Sequence, residues 1–181
     1  LITKRHLLLA ASAAVAIVVA PVVGTAHGPT RQKTSVTVTI DAPPAKVWAV
    51  VGNFQDMSWH PAVAKTEGTG GNGAGAKRTL TLQSGGKIEE ALTKFNAENR
   101  SYSYEITAVD VKVLPVNNYS STISVKDEGG KSVVEWRGAF YRGFMNNDPP
   151  AELNDEAAVK AIKDVYTAGL AGLAKKVASG S

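Results

Sequence analysis

The chain has 181 residues, a formal net charge of +4, three histidines and no cysteine. Without cysteine there are no thiol nucleophiles, disulfides, thiolate zinc sites or c-type haem attachment, and with only His27 and His60 beyond the first 26 residues no multi-histidine metal centre is expected. The charges are mild and evenly scattered, which argues against nucleic acid as a partner.

Lys4 and Arg5 precede an apolar run from Leu7 to Val19, and Gly24-Thr25-Ala26 follows with small side chains. A basic head, a short apolar stretch and a small-x-small exit predict a cleaved secretory signal peptide over residues 1–26 and a periplasmic address. The run falls short of the roughly 20 residues that span a bilayer, so no membrane segment is expected after cleavage. Removing it leaves 18 basic and 16 acidic side chains, a net charge of +2. Residues 27–33 read as a linker and residues 34–178 as one domain.

Thr34 to Ile40 alternates, with Val36, Val38 and Ile40 on one face, and predicts a half-buried strand. Asp41-Ala42-Pro43-Pro44 stops it and opens a short helix over Ala45 to Val51, with Val47, Trp48 and Val51 at core spacing. A second short helix or turn is expected over Asn53 to Ser58, ending at His60-Pro61. Strand texture begins at Val63, and Gly68 to Gly75 reads as a loop. Further strands follow at Lys77–Leu82, Lys87–Asn96, Ser101–Val109, Tyr119–Lys126 and Ser132–Tyr141. Gly- and Asn-rich turns between short strands favour antiparallel neighbours.

The period then changes. Val159, Ile162, Val165, Tyr166, Leu170, Leu173 and Val177 recur every three or four residues, which predicts a long amphipathic helix capped near Asn154. Gly169 and Gly172 inside it each cost about 1 kcal/mol relative to Ala, so a close approach to a concave surface is expected there. The expectation is an α+β helix-grip fold: a curved antiparallel sheet of six to seven strands wrapped around a long C-terminal helix, with two short helices after the first strand. A cavity between sheet and helix is the default ligand site.

The segment TVTIDAPPAKVWAVVGNFQDMSWHP resembles the start of SRPBCC (START/polyketide-cyclase/Bet v 1-like) domains. FNAENRSYSYEI, LPVNNYSSTISV and WRGAFYRGFMNNDPP resemble more narrowly the MxaD-like periplasmic proteins that accompany methanol oxidation. The resemblance spans about residues 31–178. It implies the helix-grip fold and a non-enzymatic accessory role beside methanol dehydrogenase and its c-type cytochrome, and it brings no cofactor and no catalytic motif. The alternatives are a carrier of a hydrophobic small molecule and a cyclase- or aromatase-type enzyme.

Trp59, Tyr104, Tyr119, Trp136 and Phe140 are the side chains expected to wall a cavity, against the plainer reading of ordinary core packing. Glu90 shares a face with Ile88 and Leu92, so it is the inward member of the Glu89–Glu90 pair. In an apolar cavity its carboxyl would be a hydrogen-bond anchor or an acid, whereas an ion pair with Arg78 or Lys94 would make it structural. Arg142, Phe144 and Met145, before the Asn-Asn-Asp-Pro-Pro loop, are a candidate partner surface; the alternative is a loop that caps the core. His27, as a new N-terminus, could bind copper only with His60, and the long helix argues against the sandwich fold such sites use. No Gly-x-Ser-x-Gly turn is present for a hydrolase, and the Gly68–Gly75 loop lacks a phosphate-binding ending.

Overall fold

The structure, a computed structural model, describes residues 28–180; the expected signal segment and His27 lie outside the described residues. Seven strands form one antiparallel sheet in the order β1-β7-β6-β5-β4-β3-β2. They are β1 (Gln32–Ile40), β2 (Val63–Thr69), β3 (Lys77–Leu82), β4 (Lys87–Asn96), β5 (Ser101–Val109), β6 (Val116–Glu128) and β7 (Lys131–Arg142). Helix α1 (Pro44–Val51) follows β1, and α2 (Asp155–Ser179) closes the chain. This is the helix-grip arrangement that the alternation and the terminal change of period predict.

β1 begins at Gln32, two residues inside the expected linker. The second short helix is instead a run of turns. Asn53 Oδ1 accepts from the Gln55 amide at 3.0 Å and Asp56 Oδ1 from the Ser58 amide at 2.8 Å. Side chains that bond the backbone two residues on divert it from the helical ladder.

The long helix buries Ala158, Ile162, Tyr166, Gly169, Leu170, Leu173 and Val177 against the sheet. Full burial of each Ile, Leu or Val side chain contributes about 1.5–3 kcal/mol. Asn154 caps it by accepting from the Ala157 amide at 2.8 Å, and Gly180 ends it with a left-handed φ of 77°.

The two helix glycines seat α2 less on the sheet than on the turn before β2. A Cβ at Gly169 would come within 2.6 Å of the His60 ring and of Trp136, and one at Gly172 would collide with the Trp59 carbonyl. The propensity cost therefore buys a helix that lies directly on the Trp59-His60-Pro61 turn.

Register shifts bend the sheet. β4 shifts register against β5 between Glu89 and Glu90 and again between Leu92 and Lys94. β6 shifts against β7 between Asn117 and Ser120, where Asn118 adopts a left-handed φ of 47°. Beyond the Glu105–Ser120 pair β5 and β6 part, leaving a notch of about 200 Å³ between Ile106–Val109 and Val116–Tyr119.

Candidate functional site

Most of the space under the sheet is filled by large side chains. Phe54, Tyr102, Tyr104, Phe140, Trp136 and Tyr166 are all buried almost completely. Trp136 stacks on Tyr166 with ring centroids 4.5 Å apart. Between these large side chains, among the described residues, lies an apolar cavity of about 90 Å³, with Met57, Leu80, Ile88, Ile106 and Ile162 among its walls and Glu90, His60, Tyr104, Tyr119 and Trp136 as its polar members. Ile106 and Tyr119 also line the β5–β6 notch. Val113 and Leu114, from the loop between those strands, complete the wall.

The aromatic hydroxyls form one connected network. Tyr104 OH lies 3.2 Å from Tyr119 OH, Tyr119 OH 2.7 Å from Tyr166 OH, and Tyr166 OH 3.1 Å from Ser121 Oγ. Trp136 Nε1 donates to both Tyr104 OH, at 3.1 Å, and Ser121 Oγ, at 3.0 Å. Ser121 in turn donates to the Arg137 carbonyl at 2.7 Å. Gly138 makes the network possible, because a Cβ there would occupy the place of the Tyr166 hydroxyl. Burial is the main force raising these phenols: Tyr104 and Tyr119 stand well above their ordinary range and Tyr166 is pushed up to about 12. They stay protonated at neutral pH.

A second buried polar cluster is charged. Arg78 and Glu90 are register partners on β3 and β4, and Arg78 Nε donates to Glu90 Oε2 at 2.5 Å. Arg78 Nη1 donates to the Phe54 carbonyl at 2.7 Å, and the guanidinium lies 4.1 Å from the Phe54 ring centroid. Its Nη2 has no hydrogen-bond partner among the described residues. Burial pushes the Glu90 carboxyl above its usual range, against the pull of Arg78.

His60 is the third buried polar group. Nε2 lies 3.0 Å from the Val165 carbonyl of α2, and Nδ1 accepts from the Ala62 amide at 3.1 Å. A carbonyl only accepts and an amide only donates, so the imidazole is the neutral Nε2–H tautomer. Burial, aided by the Arg78 charge, lowers its pKa despite the Val165 bond.

Of the six side chains expected at a cavity, Glu90, Tyr104, Tyr119 and Trp136 line it. Trp59 and Phe140 do not. Trp59 packs edge-on against Trp136 at 5.6 Å, and Phe140 stacks on Tyr119 at 6.2 Å, both as core. The expected partner surface also needs correction. Arg142 is buried, donating to the carbonyls of Phe144 and Asn146 and to Asp155 at the start of α2. It clamps the loop to the helix, which leaves half-buried Phe144 and exposed Met145 facing out.

His60 enters the sequence reading only as the end of a turn and as a copper partner, and Tyr166 only as a core position. Ser121 is absent from it. The signal for Tyr166 was present: an inward-facing glycine on β7 opposite a tyrosine on the buried stripe of the helix.

The model of the family described as "Polyketide cyclase / dehydrase and lipid transport" matches residues 31–178. No curated protein matches the chain. Among solved structures, XoxI from Bacillus cereus is 33% identical with a TM-score of 0.67, covering 80% of this chain and 94% of its own. An uncharacterised protein from Bacillus thuringiensis is 31% identical with a TM-score of 0.68, covering 81% and 98%. A protein from Nitrosospira multiformis is 25% identical with a TM-score of 0.66, covering 81% and 96%. With a seven-stranded grip around one helix and a family match over nearly all described residues, the chain belongs to the polyketide cyclase / dehydrase and lipid transport family.

Proposed function

We propose that this protein is an exported accessory factor of methanol oxidation, acting by contact with methanol dehydrogenase and its c-type cytochrome rather than by turnover. The observation that carries the reading is the filled interior: aromatic side chains and an ion pair leave about 90 Å³, far below the several hundred that family-sized hydrophobic ligands require. A helix-grip domain without room for a large ligand keeps its outside as the working surface. The MxaD-like segments supply the identity of the partners, and the signal-like residues 1–26 supply the periplasmic address. Met145, the exposed large hydrophobic side chain, and Phe144 beside it are the contact candidates.

The test is electron transfer in a reconstituted mixture of dehydrogenase and cytochrome at periplasmic ratios. Adding the protein should raise the rate, and Met145→Asp should weaken the gain while leaving the fold intact. An unchanged rate with the native protein would remove the reading.

The cavity favours a second reading, that of a small-molecule carrier. Its size confines any cargo to a few atoms, which excludes a quinone or a polyketide.

A further inference from the structure

The direction of every proton around the cavity can be deduced. Each hydroxyl has one hydrogen. Ser121 spends its own on the Arg137 carbonyl, so Tyr166 must donate to Ser121. Tyr166 is then spent and Tyr119 must donate to it, and Tyr119 being spent, Tyr104 must donate to Tyr119. The Trp136 N–H is shared between Tyr104 and Ser121, and the His60 N–H is committed to Val165. With Glu90 held as a carboxylate by its pair with Arg78, no side chain lining the cavity has a free proton. Arg78, whose Nη2 is unpartnered, is not among the lining residues.

Acceptors are left over. Glu90 takes one hydrogen bond, from Arg78, on Oε2, and it lines the cavity. Tyr104 and Tyr119 present oxygen lone pairs as well. We propose that the cavity is a binding site for a small neutral hydrogen-bond donor with an apolar body, a short-chain alcohol of about four or five non-hydrogen atoms, anchored by its O–H on Glu90. The inference rests on the carrier reading and specifies its cargo.

Size and charge set the class. About 90 Å³ holds roughly three waters and is smaller than the roughly 150 Å³ that accepts benzene. An ion of either sign would have to shed its water beside a buried pair whose charges already balance. A ketone or ether of the same shape would bring a further acceptor to a wall of acceptors and leave it unpaired, and sites built around one polar partner reject such analogues strongly.

The test is a methyl-detected NMR titration of the purified protein with 2-butanol and, separately, 2-butanone. Saturable shifts of the Leu80, Ile88, Ile106 and Ile162 methyls are expected with the alcohol, with binding of the ketone at least tenfold weaker. Val113→Phe, which fills the cavity, should remove the alcohol shifts while the rest of the spectrum is kept. Glu90→Gln, where it folds, presents an N–H as well as an oxygen and should narrow the alcohol–ketone gap to about twofold. Equal binding of the two probes would overturn the donor rule and leave the carrier reading standing. Silence with both would overturn the proposal and the carrier reading together.

Discussion

Two polar clusters lie side by side in the core and are built on opposite terms. The Tyr104–Tyr119–Tyr166–Ser121–Trp136 network is neutral, and its hydroxyl protons run in one direction into a backbone carbonyl. The Arg78–Glu90 pair is ionic and incomplete, with one guanidinium nitrogen unpartnered. Equal burial therefore gives unequal roles. The neutral network has spent all its protons and specifies how α2 docks on β6 and β7, whereas the Glu90 carboxylate of the ion pair keeps unspent acceptor capacity at the cavity wall. A closed network resists change, and an open one is where a ligand can be received.

The comparison is broken most directly by removing one charge. Glu90→Leu strands a buried guanidinium and should cost about 3–5 kcal/mol in urea unfolding, while the double change Arg78→Met with Glu90→Leu should recover most of that loss. A double variant as unstable as the single one would mean that Arg78 is needed for its Phe54 carbonyl bond and not for the pair. Tyr166→Phe tests the other side. It leaves the Tyr119 proton without an acceptor and takes a donor from Ser121, for an expected loss of about 2 kcal/mol. A loss near zero would show that the hydroxyls rearrange, so that the proton order deduced above does not hold.

The smallest effect is the pH dependence carried by His60. Its folded pKa lies below the ordinary value of about 6.5, so the unfolded chain binds the proton more readily. Stability from this group is present above about pH 6.5 and is lost as pH falls toward the folded value. Glu90, whose pKa is raised, contributes with the opposite sign over a window that opens at the ordinary carboxylate value and extends upward from it. Comparing melting temperatures of the native protein and His60→Gln from pH 7.5 to 5 isolates the imidazole, and the native protein should lose more on acidification. Parallel curves would show that His60 does not titrate in that window.

The strands were legible almost to the residue because burial on one face imposes a period of two and glycine marks the turns. β3, β4 and β5 begin and end where the alternation places them. The hairpin turn centred on Ser84 also fixes the pairing of Arg78 with Glu90, since equal steps outward from that residue reach both. What was not legible depends on contacts distant in sequence. Arg142 looks like an exposed interface residue because its partners include carbonyls freed by an irregular loop and a carboxylate thirteen positions on. Trp59 and Phe140 look like cavity walls because alternation gives a face but not the depth of space in front of it. Tyr166 gained its role only when the helix met Gly138.

The parting of β5 from β6 has a kinetic meaning. Because the ladder stops at Glu105 and Ser120, the two halves of the sheet are joined by a short zipper next to an unpaired margin. Amides along Ile106–Val109 that face the gap lack the cooperative protection of a full ladder and will exchange with solvent through local opening rather than global unfolding. Ile106 and Tyr119 belong both to this margin and to the cavity wall, so the opening loosens the wall as well. A wall built on an unpaired strand margin yields more easily than one built on a full ladder, whatever the cavity holds.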